Sequence, residues 1–220
     1  MVARMRETPR RLPRPVVLIG GFLDPGVTPA FYKSFFGSVS SDSKFIPVTI
    51  GFCNSFTECR RKVIAAVDAA LPPDDPVWTR EVDVIGASLG GLVARYAATD
   101  VGSGRRLRIA RLFSISSPMN GAKLAQDLGF TEFHREIRPG SRYLNDLAHD
   151  DADRRYETFS YLVAHDDVIG DQNASLPGRT VLWVPNHTWA PAHFAAMFDT
   201  RILADIARRL RQSDKPRISG

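Results

Sequence analysis

The sequence is poor in cysteine, in histidine and in long apolar runs, and these shortages exclude several classes of protein. Its 220 residues include two cysteines and five histidines. Cys53 and Cys59 are six residues apart, a spacing that fits no zinc or redox motif. We expect two unpaired, partly buried thiols, with a local disulfide as the alternative. No apolar run approaches the ~20 residues that a membrane-spanning helix needs. The sequence therefore argues against a zinc-binding, redox or membrane-spanning protein.

The excess of positive charge is confined to the two ends of the chain. The net charge is +5 at pH 7, yet residues 1–14 and 201–220 each carry +4, which leaves −3 for the residues between them. No basic stripe with interleaved aromatic residues is present, so we expect no nucleic-acid partner. We interpret residues 1–14 as a solvated basic arm and residues 213–220 as a C-terminal tail. Residues 15–212 have a length suited to one domain with one core.

The sequence also lacks the features of a secretory signal. The first apolar run, PVVLIGG, is too short for the apolar part of a signal peptide and is typical of a strand. A cytoplasmic location is therefore the default expectation, although a secreted protein whose signal had been removed would have the same sequence. No partner protein is indicated.

Six short apolar runs predict the strands of a buried sheet. They are rich in Val, Ile and Phe and mostly lack alternation, as strands buried on both faces do. Helical patterns lie between them, including one that begins with capping-box spacing from Ser55 to Glu58. Strands that alternate with helices predict a three-layer α/β fold with a mainly parallel six-stranded sheet and helices on both faces. The predicted strands are residues 16–19, 45–50, 82–85, 111–115, 159–163 and 180–184.

One interval between the predicted strands is unusually long. Residues 117–157 separate the fourth strand from the fifth and contain the stretches GAKLAQDLGF and IRPGSRYLNDLA, which resemble short helices with turns. Connections of this length are uncommon in compact domains and often cover a binding site. We therefore expect a short lid insertion here.

The stretch IGASLGGLVARYAA, residues 85–98, places a serine in a sharp turn between a strand and a helix. Gly86 and Gly90 are neighbours without side-chain bulk, as a strained turn at Ser88 requires. Ser88 follows the third strand, so we expect it at the carboxyl edge of the sheet, where ligands of open α/β proteins bind. The pattern G-x-S-x-G in this context predicts a nucleophile.

A serine nucleophile needs a base that takes its proton, and two histidines follow the last strand. His187 lies in a Pro-rich loop, whereas His193 precedes FAAMFDTRILADIARRL, predicted as a helix whose start would fix the ring beside the serine. His193 is favoured and His187 remains open. The carboxylate that orients the base is expected from Asp166 or Asp167, at the end of the fifth strand.

An oxyanion formed at Ser88 needs two N–H donors. The helix that starts at Leu89 has free N–H groups and a favourable dipole at its N-terminus. The second donor is expected from the loop after the first strand, LIGGFLDPG, where Gly20 and Gly21 let the backbone come close and Phe22 follows.

These motifs give the chain a resemblance to a known family. It resembles a small α/β-hydrolase of the bacterial lipase or esterase kind, and the stretches that carry the resemblance span nearly the whole chain in the family's order. They are IGGFLDPG, IGASLGGLVARYAA, ISSPMNGAKLA with RPGSRYLNDL, VAHDDVIG and AHFAAMFDTRILADI. The family's first two strands are absent, as in its minimal members. Gly20-Gly21 stands where relatives often have His-Gly.

The resemblance implies a role for individual residues. It implies Ser88 as nucleophile, His193 as base, Asp167 as acid, and the N–H groups of Phe22 and Leu89 as the oxyanion hole. The implied reaction is hydrolysis of a small-molecule ester or lipid through an acyl-enzyme intermediate, with no metal ion and no organic cofactor.

The sequence leaves two alternatives to an ester hydrolase open. The same site could serve a thioesterase, an amidase or an acyltransferase, and a non-catalytic binding protein could retain the fold. The acyl pocket is expected among aromatic side chains, namely Phe22, Trp189 and Phe194, with Phe130 and Phe133 from the lid.

Overall fold

The computed structural model describes residues 1–100, 104–123, 132–150, 156–170, 172–176, 180–186 and 191–212. Within these ranges no helix has the length and apolar character needed to cross a bilayer. The strands are β1 Val16–Ile19, β2 Phe45–Val48, β3 Val82–Ala87, β4 Ile109–Ile115, β5 Glu157–Val163 and β6 Thr180–Val184. The helices are α1 Val2–Glu7, α2 Val27–Ser38, α3 Phe56–Ala70, α4 Leu89–Ala97, α5 Glu132–Glu136, α6 Arg142–Asp150, α7 Ala192–Phe198 and α8 Thr200–Leu210.

All six predicted strands are present, and they form one parallel sheet in the order β2-β1-β3-β4-β5-β6. The chain first builds outward from β1 to β2 and then crosses to the other side of β1, from where β3 to β6 follow in sequence. Ile19 of β1 pairs with Gly86, and Ala87 of β3 pairs with Ile115. The carboxyl ends of β1, β3 and β4 therefore meet at one edge of the sheet.

The two faces of the sheet are covered by different helices. On one face, Val17 and Ile19 of β1 pack with apolar side chains of α3 and α4. On the other face, Val16 and Leu18 pack with those of α2 and α8. This alternation along β1 buries both faces of the strand and gives the three-layer architecture that the sequence predicts.

The C-terminal helical region is divided, in contrast to the single helix predicted after His193. α7 ends at Phe198, and Asp199 has a ψ of 114° that interrupts the helix. The Asp199 carboxylate then accepts hydrogen bonds from the N–H groups of Arg201 and Ile202, at 2.8 and 3.4 Å, and caps α8. The apolar stripe continues through the break, which explains why periodicity alone does not reveal it.

The basic ends of the chain pack against each other at the amino edge of the sheet. Residues 2–7 form α1, and Met5 is buried in the core beside α2 and α8. The Arg211 guanidinium donates to the carbonyl of Met5 at 2.7 Å. The fully buried Asp83 accepts from Arg14 at 3.1 Å and from Arg111 Nε at 2.9 Å. Residues predicted as a solvated arm thus contribute a helix and an ion pair to the folded domain.

Part of the predicted lid belongs to the core. In α6, Leu144 and Leu147 are buried against α3 and α4, and the Tyr143 ring stacks on Phe56 with centroids 4.5 Å apart. The stretch GAKLAQDLGF lies mostly outside the described residues, as does the tail predicted at 213–220. The described α5 instead reaches the carboxyl edge of the sheet, where its His134 ring contacts Phe22 at a centroid distance of 5.6 Å.

Candidate active site

Ser88 occupies a strained turn at the carboxyl edge of the sheet. Its φ of 50° and ψ of −125° lie in a region that residues other than glycine rarely adopt, and its N–H donates to the Ile115 carbonyl at 2.8 Å. A Cβ at Gly86 would lie 2.4 Å from the Gly91 nitrogen, so the strand and the helix can approach this closely only with glycine. The turn therefore holds Ser88 above the start of α4, as the sequence predicts.

The second glycine of this motif has a different partner. A Cβ at Gly90 would lie 2.6 Å from the carbonyl oxygens of Ile19 and Gly20, so Gly90 lets α4 approach the end of β1. Gly91, which lies outside the G-x-S-x-G pattern, has the same property toward Ser117, whose Oγ would lie 2.2 Å from an added Cβ.

His193 is brought to Ser88 from the far end of the sequence. It is the second residue of α7, it is 5% exposed, and its Nε2 lies 3.0 Å from the Ser88 Oγ. His187, the alternative base, lies outside the described residues. The three other histidines are elsewhere: His134 is in α5, His149 is in α6 and His165 is exposed in the turn after β5.

The carboxylate beside His193 is Asp166, which corrects the prediction of Asp167 for this position. Asp166 Oδ2 lies 3.0 Å from His193 Nδ1, and Asp166 Oδ1 accepts from the N–H groups of Val168 and Ile169, each at 3.1 Å. Asp167, the next residue, is exposed. His165 has a φ of 66°, and this turn directs the Asp166 side chain inward and leaves Asp167 facing solvent.

The pKa of Asp166 reflects two opposing influences. Burial raises the pKa of this carboxyl, but the hydrogen bond and charge interaction with His193 and the N–H of Ile169 outweigh it, and the pKa lies below its usual value. An ionised Asp166 is an acceptor only, so His193 Nδ1 must carry a proton and donate it. In neutral His193, Nε2 is then the acceptor for the Ser88 hydroxyl, which is the arrangement that general-base catalysis requires.

The loop after β1 lies directly over Ser88. A Cβ at Gly21 would lie 3.0 Å from the Ser88 Cβ, so the backbone of this loop touches the turn that holds the serine. Phe22 follows Gly21, and Leu89 is the first residue of α4, where backbone N–H groups have no carbonyl partner within the helix. Both predicted donors thus lie on segments that adjoin Ser88.

The predicted pocket residues are only partly described. Phe194 follows His193, its ring lies edge-on to the imidazole with centroids 5.6 Å apart, and it is exposed at the edge of the site. Phe22 is also exposed there. Trp189, Phe130 and the side chain of Phe133 lie outside the described part of the chain.

No grouping of metal-binding side chains occurs in the described ranges of the chain. Cys53 precedes α3 and Cys59 lies within it, and both are buried free thiols of the core that take no part in the site.

The class of fold follows from three features: the sheet order, the serine turn after β3 and the chain order Ser…Asp…His. The chain has the α/β-hydrolase fold, and the resemblance predicted from the sequence is confirmed. The family of the PGAP1-like alpha/beta domain matches residues 74–162. This match covers β3 with Ser88, α4, β4 and most of β5. No curated protein matches the chain in sequence.

Several solved structures share the fold. The mature form of Bacillus licheniformis lipase BlEst2 superposes with a TM-score of 0.65 at 13% identity, covering 90% of this chain and 92% of that chain. The product of gene lin2722 from Listeria innocua has a TM-score of 0.64 at 12% identity, covering 92% and 96%. The esterase domain of a Rhodothermus marinus protein has a TM-score of 0.56 at 13% identity, covering 90% and 84%. At such low identities the likeness concerns the fold.

Proposed function

We propose that this protein is a serine hydrolase that cleaves carboxylic esters, with Ser88 as nucleophile, His193 as general base and Asp166 as its orienting carboxylate. One observation carries the proposal: Ser88, His193 and Asp166 form a continuous hydrogen-bonded chain with both contacts at 3.0 Å. Ser88 and His193 are 105 residues apart in the sequence, and all three side chains meet at the edge where α/β folds bind ligands. A lipase and an esterase domain are among the proteins that share the fold, which supports a reaction on esters.

The proposed reaction follows from the positions of these groups. Ser88 Oγ attacks the ester carbonyl while His193 Nε2 takes its proton, and the N–H groups of Phe22 and Leu89 stabilise the oxyanion. The His193 imidazolium, held by Asp166, then protonates the departing alcohol. A water molecule activated by His193 attacks the acyl group on Ser88 and releases the acid.

A serine-directed fluorophosphonate tests the proposal without knowledge of the natural substrate. The folded wild-type protein should form a covalent phosphonyl adduct on the peptide that contains Ser88, because the reagent needs an activated hydroxyl. The measurement is mass spectrometry of the digested protein, with heat-unfolded protein as the control. Absence of an adduct in the folded state, or an adduct on another serine, would contradict the proposed nucleophile.

The surroundings of the site favour an ester with an apolar acyl chain. Six of the nine large apolar side chains most exposed in the described ranges lie on the loops and helices at this edge, with exposures of 41–65%. We call this set the apolar rim: Phe22, Leu23, Val27, Phe52, Phe194 and Phe198. The stretches 20–31 and 50–57 contain a single charged residue, Asp24, and 191–198 contains none besides His193. Exposed apolar clusters of this kind mark sites for apolar ligands.

The apolar rim predicts a preference among acyl chains. The kcat/KM for p-nitrophenyl octanoate should exceed that for the acetate by about tenfold or more, because each buried methylene contributes up to ~0.8 kcal/mol. Phe194→Ser should lower this ratio about fivefold. Val77→Ser is the matched control, since Val77 is similarly exposed but lies outside the rim. A flat profile from acetyl to octanoyl, or an equal effect of both variants, would remove the rim from the acyl site.

A further inference from the structure

Asp24 lies in the loop between β1 and α2 and binds the backbone at the loop's end. Its Oδ1 accepts from the N–H groups of Gly26 and Val27, each at 2.8 Å. Its Oδ2 accepts from the N–H of Thr28 at 3.2 Å. One carboxylate thus satisfies three successive donors at the start of α2.

The same carboxylate also touches the beginning of the loop. A Cβ at Gly20 would lie 2.6 Å from Asp24 Oδ2, so the side chain folds back toward the first residue after β1. Between these points the chain makes a turn in which the Asp24 N–H donates to the Gly21 carbonyl at 3.4 Å. Leu23 in this turn has a φ of 57°, a left-handed conformation that surrounding contacts must maintain. Asp24 therefore closes the loop from Gly20 to Val27 around Phe22.

The loop is anchored on both sides. Leu23 N–H donates to the Gly51 carbonyl at 3.1 Å, which ties the turn to the segment after β2. α2 itself is fixed by Tyr32, which is fully buried in the core. Burial, with a smaller effect from the Asp24 charge, raises the pKa of the Tyr32 phenol.

The position of this loop determines the position of the proposed oxyanion donor. A Cβ at Gly21 would lie 3.0 Å from the Ser88 Cβ, so Gly21 adjoins the Ser88 side chain. The N–H of Phe22 is the next donor along the backbone. A shift of the turn would move this N–H relative to Ser88 without changing the hydrogen bond from Ser88 to His193. Donors to an oxyanion act through their preorganised position, because the negative charge develops only in the transition state.

We propose that Asp24 is a positioning residue that holds the Phe22 N–H over Ser88 by closing the Gly20–Val27 loop onto the start of α2. This inference rests on the proposed serine hydrolase function and adds to it a residue that lies outside the Ser88, His193 and Asp166 set. Asp24 acts through the backbone and does not touch the reacting atoms. Its removal should therefore weaken transition-state stabilisation more than substrate binding.

The test compares three variants on soluble p-nitrophenyl butyrate. Asp24→Ala should lower kcat about 100-fold with KM within about threefold, the loss expected when one oxyanion donor is misplaced. Asp24→Asn keeps an oxygen for the N–H groups of Gly26 and Val27 and should stay within about tenfold of wild type. Asp75→Ala is the matched control. Asp75 Oδ1 accepts from Val77 and Trp78 N–H groups at 2.7 and 2.8 Å in the same manner, but before β3 at the opposite edge of the sheet.

Thermal melting distinguishes an effect of Asp24 on catalysis from an effect on the stability of the fold. Asp24→Ala and Asp75→Ala should each lower Tm by about 2–4 °C, since each removes a carboxylate that binds backbone donors. A large kcat loss in Asp24→Ala alone supports the proposal. A kcat within threefold of wild type in Asp24→Ala, or an equal kcat loss in Asp75→Ala, overturns it and leaves Asp24 a purely structural cap.

Failure of the proposed function would look different. In that case the wild-type protein would show no ester turnover, or the turnover would persist in Ser88→Ala. Either result would contradict both the proposed function and the positioning role of Asp24. Wild-type turnover that requires Ser88 but not Asp24 overturns the positioning role alone.

Discussion

Replacing Ser88 with alanine is expected to lower kcat for p-nitrophenyl butyrate by about 10⁵-fold or more, to the level of uncatalysed hydrolysis in most assays. The Ser88 Oγ is the atom that would form the acyl bond, and its neighbour at 3.0 Å is His193 Nε2. In Ser88→Ala the oxyanion donors and the pocket remain, so a small residual acceleration by bound water is compatible with the mechanism. The measurement is steady-state hydrolysis followed by release of p-nitrophenol.

The fold must survive this substitution if the loss is to be assigned to chemistry. Alanine retains the Cβ, and the Ser88 N–H to Ile115 carbonyl bond is a backbone contact. We therefore expect the Tm of Ser88→Ala to remain within about 2 °C of wild type. Ser55→Ala is a useful contrast, because the Ser55 side chain caps α3 by accepting from the Glu58 N–H at 3.2 Å. It should cost about 1 kcal/mol of stability with unchanged kcat. Full activity in Ser88→Ala would reduce Ser88 to a turn residue.

The sheet could be predicted from the sequence because its strands are buried on both faces. β1 carries Val and Leu toward one layer and Val and Ile toward the other, so it forms a continuous apolar run. The ends of strands were less accurate. The predicted second strand extends to Ile50, whereas β2 ends at Val48, and β4 begins two residues before the predicted Arg111. The first and last residues of a strand depend on its hydrogen bonds to the adjacent strands. The apolar run of one strand does not show where the adjacent strand begins or ends.

Side-chain capping was visible at one helix and missed at another. The Ser55 to Glu58 spacing predicts the start of α3, and the Ser55 Oγ accepts from the Glu58 N–H at 3.2 Å as a capping box requires. The Glu58 carboxylate accepts from the N–H of Asn54 at 2.9 Å, one residue before the N-cap. Asp199 caps α8 by the same physical principle. The sequence pattern predicts one continuous helix here, because apolar residues on both sides of Asp199 keep a helical period. A change of ψ at a single residue leaves that period intact.

The position of Asp24 had a sequence signal of its own. The stretch DPG is typical of a turn in which the Asp side chain binds nearby backbone N–H groups. The sequence shows neither that these groups begin a helix nor that the loop rests on Ser88. Both depend on contacts between β1, α2 and the serine turn, which are distant from one another in the sequence.

Two adjacent carboxylates, Asp166 and Asp167, follow the fifth strand, and only one of them contacts His193. Chain order and strand ends place Asp166 and Asp167 at the same edge of the sheet, and the family resemblance pointed to Asp167. The structure turns the chain at His165, where φ is 66°, and buries Asp166 while Asp167 faces solvent. A one-residue difference of this kind depends on the conformation of a single backbone position, which no residue pattern in the sequence specifies.

The proposed roles of these two residues can be separated by paired substitutions. Asp166→Asn should lower kcat about 10⁴-fold, because an amide can donate to His193 Nδ1 and so favour the tautomer in which Nε2 is protonated. That tautomer cannot accept the Ser88 proton. Asp167→Asn makes the same chemical change one residue away at an exposed side chain and should leave kcat within about twofold. Equal losses in the two variants, or a loss confined to Asp167→Asn, would contradict the assignment of Asp166.

The pH dependence of this loss provides an independent check. The pKa of Asp166 is held below its usual 3.8, with His193 and the Ile169 N–H outweighing the effect of burial. The pKa of the Asp166 carboxyl is thus lower in the folded protein than in the unfolded chain. Its ionised form therefore stabilises the fold above the unfolded pKa, and this stabilisation is lost as the pH falls through the lower pKa of the folded state. Asp166 is thus ionised throughout the range from about pH 5 to about pH 9 in which esters are conveniently assayed. The loss in Asp166→Asn should therefore persist at both ends of that range, because the neutral amide replaces an ionised carboxylate at every pH measured. A defect that appeared only toward acid or only toward alkaline pH would mean that another titrating group, and not the Asp166 charge, controls the His193 tautomer.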